Sequence, residues 1–246
     1  MRAFVSFDFD RTLADYSKAH GNSILAGIHE CFGNKFRVNW FDISHNGLTD
    51  VQIIAFLVHN HGISYHTIFE KMDDCIKIIS DKFQEYLKIY PVELLDKAEK
   101  TLQNLSERDH VTIGLSTGNI KTICLQKTKY TGIDNFFSFG SFGDEVFNRY
   151  QLLKLTKSRL KIEYRFSSED IAFHVGDSVL DMLSAGESGL IPIGITTGKN
   201  SERELYDAGA KLVFKKLQDF ELSIDSIIDL IQEKYLGSSL YLNENI

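Results

Sequence analysis

Apolar and polar positions divide the chain into two regimes. Ala3-Phe4-Val5-Ser6-Phe7 is a mostly apolar run that stops at Asp8-Phe9-Asp10-Arg11-Thr12-Leu13, the pattern of a buried strand leaving a sheet. From about residue 15 to 90 the periodicity is helical. Thr49-Asp50 caps a segment carrying Val51, Ile54, Ala55, Leu57 and Val58 that closes at Gly62. Ile68, Phe69, Met72, Cys75, Ile76, Ile79, Phe83, Tyr86 and Leu87 then recur at helical spacing, as in the core of a small bundle. From about 92 onward, short apolar runs alternate with amphipathic segments. Strands are predicted at 111–115, 136–139, 171–175, 191–195 and 211–214, with helices over about 92–106, 119–130, 149–162 and 178–188. A short helix and a last helix flank the final strand.

Near-continuous apolar strands between helices imply a parallel sheet covered on both faces. The first strand is separated from the others by the helical block, so the economical topology has it completing the sheet. The expected architecture is α/β, a doubly wound parallel sheet with an inserted helical-bundle cap. The core comprises residues 1–14 and 90–246, and the cap 15–89.

A chain of 246 residues with 43% apolar content can bury a large core. Cys31, Cys75 and Cys124 form no CxxC pair, which argues against a disulfide framework or a thiolate zinc site and suits a reducing compartment. With no secretory pattern at the amino terminus and no apolar stretch of spanning length, the expected location is cytoplasmic, without a membrane partner. A net charge of -7 and dispersed Lys and Arg disfavour a nucleic-acid partner.

The chemistry-bearing residues gather at the expected carboxyl ends of strands, where ligands of open α/β sheets bind. Asp8 and Asp10, two residues apart, can serve one hard cation while keeping separate tasks, because Mg²⁺ takes few carboxylates and retains room for phosphate oxygens. The same pentapeptide also reads as a solvated acidic turn. Ser116-Thr117-Gly118-Asn119 combines a hydroxyl, a glycine and a helix amino terminus, either an oxyanion cradle or an ordinary cap. Gly176-Asp177-Ser178-Val179-Leu180-Asp181 places two carboxylates four residues apart on one helical face.

With DxDxT, Ser/Thr-Gly and GDxxxD in this order, the chain resembles the haloacid dehalogenase (HAD) superfamily of aspartate-dependent phosphohydrolases. The matching positions are Asp8, Asp10 and Thr12, then Thr117, then Asp177 and Asp181. STGN, FGSFGDE, GDSVLD and TTGKNSERELYDAGA look most like the phosphoglycolate phosphatase-like branch. The resemblance implies a HAD-type Rossmann-like core with a helical cap, and a Mg²⁺-dependent phosphatase acting on a small phosphorylated metabolite, phosphoglycolate-like or a sugar phosphate. Asp8 would attack phosphorus and form an aspartyl phosphate; Asp10 would protonate the leaving oxygen and then deprotonate water. Asp8, the main-chain carbonyl of Asp10, Asp177 and Asp181 would form the metal site. Thr12, Thr117, Gly118 and Asn119 would surround the phosphoryl oxygens. The family's lysine has no clear counterpart here: Arg149 is the first choice for that cation and Lys154 the second.

Arg11 stands where many relatives have glycine, and is expected to point into solvent more than to greet substrate. Six of the eight histidines, His20, His29, His45, His59, His61 and His66, fall in the helical block, where solvated or capping roles account for most. The loop Asn46-Gly47-Leu48-Thr49-Asp50 is a place for the cap to touch substrate. A dehalogenase fits less well, because carbon–halogen displacement would leave Asp10 without a task. A mutase of the β-phosphoglucomutase type shares the cap and DxD, but tends to carry Glu where this chain has Gly176. A receiver domain lacks DxDxT and the insertion. A non-catalytic binding protein on the same fold is the remaining alternative, and would be expected to lose one of the acids.

Overall fold

The computed structural model describes residues 1–33 and 38–243; residues 34–37, within the expected cap, and 244–246, at the end of the expected core, lie outside the described residues. Six strands, β1 (Ala3–Phe7), β2 (Val111–Thr117), β3 (Phe139–Phe142), β4 (Ile171–Gly176), β5 (Ile191–Ile195) and β6 (Leu212–Phe214), form one all-parallel sheet in the order β3-β2-β1-β4-β5-β6. β1, buried throughout, lies at the centre, with Phe7 level with Leu115 on one side and Val175 on the other. The strand order reverses between β1 and β4, which opens a crevice at their carboxyl ends.

Between β1 and β2 the chain builds α1 (Lys18–Phe32), a 3-10 turn (Trp40–Asp42), α2 (Asp50–His59), α3 (Tyr65–Glu70) and α4 (Met72–Leu87). Thr49 caps α2, its hydroxyl accepting from Gln52 N while the Gln52 side chain accepts from Thr49 N, the reciprocal arrangement that satisfies two otherwise orphaned donors. α1 packs on α4, and the apolar side chains of this block merge into the same buried cluster as β1, β2 and β4. The remaining helices are α5 (Ala98–Ser106), α6 (Lys121–Thr131), α7 (Arg149–Glu163), α8 (Val179–Ser188), α9 (Glu202–Asp207) and α10 (Leu217–Asn243). Among the described residues no helix is long and apolar enough to cross a membrane.

Three expected elements shift. The helix predicted over 92–106 begins only at Ala98, because the two connectors of the helical block pair with each other: Asp15 N donates to Glu93 O at 2.8 Å and Leu95 N to Leu13 O at 3.0 Å. The strand predicted at 136–139 occupies Phe139–Phe142 instead, where the Phe139 ring covers the space a Cβ would take on Gly114 in β2. The single periodic run from Ile68 to Leu87 breaks at Lys71 into α3 and α4. Of the three thiols, Cys75 and Cys124 are buried and Cys31 is half-buried.

Candidate active site

The turn after β1 separates its two acids. Asp8 N still donates to Val175 O at 2.9 Å as an extension of the sheet, after which the amides of Thr12, Leu13 and Ala14 converge on Phe9 O at 3.3, 2.9 and 3.1 Å. This tight return sends Asp8 toward β4 and Asp10 toward α6 and the helical block.

On the β4 side, Arg149 Nη1 donates to Asp8 Oδ1 at 3.0 Å and lies 3.3 Å from Asp181 Oδ1. Asn148 caps α7 and fixes the guanidinium at its first turn, with Nε donating to Gly47 O at 3.2 Å. Asp181 closes a capping box with Ser178, whose hydroxyl donates to Asp181 Oδ2 at 2.6 Å, and its other oxygen lies 3.3 Å from His174 Nε2. Asp177 is buried and its Oδ2 has no hydrogen-bond partner among the described residues. A Cβ on Gly198 would collide with the Asp177 carboxylate, so a side chain there would have to displace it.

One carboxylate oxygen each from Asp8, Asp177 and Asp181 lie within 4.8 Å of one another. Burial pushes the Asp8 carboxyl up, opposed by Arg149 and reinforced by Asp181 and Asp10. Burial and the neighbouring carboxylates of Asp181 and Asp8 push Asp177 well above the ordinary range. Asp181 is equally buried, yet Arg149 and His174 outweigh that burial and hold it low. A crowded acidic trio with one orphaned oxygen fits a hard divalent cation, which would relieve the repulsion and complete Asp177.

On the other side, the Asp10 carboxylate meets an ammonium. Lys127 Nζ, fully buried on α6, donates to both Asp10 oxygens at 2.7 Å each and to Asn119 Oδ1 at 2.7 Å, while Asn119 Nδ2 donates to Asp10 Oδ2 at 2.8 Å. His20 joins them, its Nε2 2.9 Å from Asp50 Oδ2 and its Nδ1 3.1 Å from Lys127 Nζ. Asp50 Oδ2 also accepts from Ile120 N at 2.7 Å, tying the start of α2 to the turn before α6. Burial favours a neutral Asp10, but Lys127 and then His20 overcome it and hold the carboxylate ionised far below its ordinary range.

The structure thus brings Asp8, Asp177, Asp181 and Arg149 together and turns the side chain of Asp10 away from that trio. Thr12 and Thr117 are fully buried beneath the turn, and Gly118 and Asn119 line the cleft. Lys154, one turn along α7, stacks on Tyr150 at 4.7 Å and does not line the cleft. One expectation is corrected. Arg11 is half-buried and lines the cleft, its guanidinium 5.8 Å from the Tyr16 ring centre, because the left-handed turn carries its side chain back over the block. His20, buried in an ionic cluster, and His45, which lines the cleft, are the two exceptions to the solvated or capping roles expected of most of the block's histidines.

The sequence does not single out Lys127, His20 or His174 as functional groups, and it marks Asp50 only as part of a loop expected to touch substrate. A signal existed for the first: Ile120, Ile123, Cys124 and Lys127 share one helical face, so a lysine occupies an apolar stripe and must find a buried partner. The cleft, about 520 Å³ and open to solvent, is walled by Asp8, Asp10, Arg149 and Asp177 from the sheet side and by Trp40, His45 and Asn46 from the block. Asp50 N donates to Gly118 O at 2.8 Å, and Thr49 Oγ1 to Phe147 O at 2.6 Å, so the loop 46–50 is seated directly on the site.

A family model described as haloacid dehalogenase-like hydrolase matches residues 5–195, more than half of the chain. A haloacid dehalogenase-like hydrolase from Streptococcus pneumoniae shares the fold at 18% identity, with a TM-score of 0.61 over 91% of this chain and 98% of that one. A predicted phosphoglycolate phosphatase from Haemophilus somnus matches at 16% identity and TM-score 0.61, covering 90% and 97% of the two chains. A β-phosphoglucomutase candidate from Thermotoga maritima matches at 15% identity and TM-score 0.60, covering 92% and 100%. Comparison with curated proteins gave no match.

Proposed function

The chain belongs to the haloacid dehalogenase-like hydrolases, and from that premise we propose that it is a Mg²⁺-dependent phosphatase of a small phosphorylated metabolite, working in the cytoplasm. The observation that carries this reading is the division of labour at the β1 turn: Asp8 shares its surroundings with Arg149, Asp177 and Asp181, while Asp10 stands apart in a separate hydrogen-bonded setting. A nucleophile and an acid/base need different environments, and here one turn supplies both.

Asp8, Asp177 and Asp181, with the main-chain carbonyl of Asp10, would hold the cation, which when bound supplies charge neutralisation for an incoming phosphoryl group. Asp8 then presents a carboxylate oxygen to phosphorus and forms an aspartyl phosphate as the P–O bond to the ester oxygen breaks, Asp10 giving that oxygen its proton so that it leaves as the alcohol. Arg149, already 3.0 Å from Asp8, offsets negative charge building between nucleophile and phosphoryl oxygens, a task its planar fork suits. Thr117 and the Gly118 and Asn119 amides receive the remaining oxygens.

Asp10 is held ionised in the free protein, the state of a base that takes a proton from the attacking water. To act first as acid it must gain a proton, and the dianionic phosphoryl group arriving beside it raises its proton affinity in the right direction. The helical block serves as the cap: residues 46–50 seat it on the cleft, so leaving-group selection falls to Trp40, His45 and Asn46. A mutase needs the same Asp8 chemistry, and the turnover assay separates the two readings.

The test is release of inorganic phosphate from p-nitrophenyl phosphate in MgCl₂. Wild type is expected to turn over, and Asp8→Asn or excess chelator to abolish release; activity surviving in Asp8→Asn would overturn the mechanism.

A further inference from the structure

Arg11 sits at a backbone φ of +65°, a left-handed conformation that costs any L-residue other than glycine. The turn locks it there, since Arg11 N donates to Ala14 O and the Thr197 hydroxyl donates to Arg11 O. Such strain at the rim of a cleft points to a side chain kept for what it contacts.

The other cations of the cleft are already engaged. Arg149 is paired with Asp8 and Asp181, and Lys127 with Asp10. Among the described residues the Arg11 guanidinium makes no salt bridge and no side-chain hydrogen bond; it lies against the Tyr16 ring, and its charge reaches Asp177 only through space. Tyr16 stacks on Trp40 with ring centres 6.1 Å apart, and Trp40 Nε1 donates to His45 Nε2 at 2.9 Å. Arg11 therefore rests against the block's aromatic wall, on the side of the cleft where a leaving group would extend, while Arg149 serves the Asp8 side.

Given the phosphatase reading above, on which this rests, we propose that Arg11 is a specificity-determining residue that receives a second anionic group on the leaving-group end of the phosphomonoester. The planar guanidinium matches a carboxylate or a second phosphate in bidentate fashion. The Tyr16 ring restrains the guanidinium before binding, which lowers the entropy lost when the anion arrives.

The test compares kcat/KM within two matched pairs: glycerol 3-phosphate against 3-phosphoglycerate, and fructose 6-phosphate against fructose 1,6-bisphosphate. Wild type is expected to favour the doubly anionic member of at least one pair by about tenfold or more, and the pair that shows it identifies carboxylate or phosphate. Arg11→Gly should bring that ratio to within about twofold of unity while melting no lower than wild type, because glycine relieves the turn. Arg11→Lys should keep part of the ratio, having charge without the fork. No preference in wild type, or a preference that survives in Arg11→Gly, overturns the assignment. If wild type releases no phosphate from any ester, the phosphatase reading fails by itself. Thermal shifts then decide Arg11: stabilisation of wild type over Arg11→Gly by 3-phosphoglycerate or fructose 1,6-bisphosphate supports it, and equal shifts refute it.

Discussion

Replacing Lys127 by Met keeps the length of the side chain but deletes an ammonium that donates at 2.7 Å to each Asp10 oxygen and to Asn119 Oδ1. Breaking a buried ion pair from one side costs about 3–5 kcal/mol, because the other charge stays behind. Two features favour the lower end: the Asp10 side chain keeps 17% exposure, and Asn119 Nδ2 still donates to it. Methionine also fills the methylene volume against Phe9, so no cavity cost is added. The expected loss at pH 7 is about 3 kcal/mol, or roughly 6–12 °C in Tm for a chain of this size.

The loss carries a pH signature. Lys127 depresses the folded pKa of Asp10 below its ordinary 3.8, so the stability contributed by that carboxylate is present above the unfolded value and fades as pH falls through the folded one. In Lys127→Met burial acts unopposed by the ammonium, Asp10 takes up its proton at higher pH, and the gap between the two proteins closes by about 1.4 kcal/mol per pH unit below that point. Urea unfolding followed by Trp40, the single tryptophan, measures both proteins from pH 7 down to pH 4. A gap under about 1 kcal/mol at pH 7, or one that stays constant to pH 4, would refute the reasoning.

Three further outcomes follow from the same geometry. Arg149→Met should lower phosphate release by about 10²–10³-fold in steady-state assays, and should increase the rise in Tm produced by MgCl₂, since Asp8 and Asp181 lose their compensating charge. Asp177 is held well above the ordinary carboxylate range, so its ionised form opposes folding at neutral pH without metal. Asp177→Asn should therefore melt at or above wild type in chelator by differential scanning fluorimetry, while losing most of its response to MgCl₂; a lower melting temperature in chelator would count against the crowding argument. Gly118→Ala should destabilise by about 1–3 kcal/mol in urea titrations, because its Cβ would lie 2.5 Å from Leu48 O and 3.2 Å from Thr49 Cα, backbone atoms with little room to move.

How far the sequence alone reaches is visible residue by residue. The runs at 3–7, 111–115, 171–175 and 191–195 mark central strands because a sheet buried on both faces demands unbroken apolar segments, and each occurs where it is read. Asp8, Thr117 and Asp177 are legible as strand-end residues for the same reason: the run stops where the chain leaves the sheet. Thr49 is legible as a cap because its partner Gln52 is local.

What the sequence could not decide depends on contacts between distant segments. The sequence ranks Arg149 ahead of Lys154 without excluding either; the approach of α7 to β1 puts the first beside Asp8 and leaves the other on Tyr150. The charge around Asp10 is assembled from positions 20, 50, 119 and 127, whose convergence no periodicity encodes. Arg11 reads as a solvent residue until the block folds back and lays Tyr16 beneath it. Strands, caps and the order of acids follow from short-range rules of burial and hydrogen bonding, so the sequence determined them. The choice of cation, the ionisation of Asp10 and the direction of Arg11 depend on electrostatics and packing across the sheet–block boundary, and the tertiary structure alone decided those.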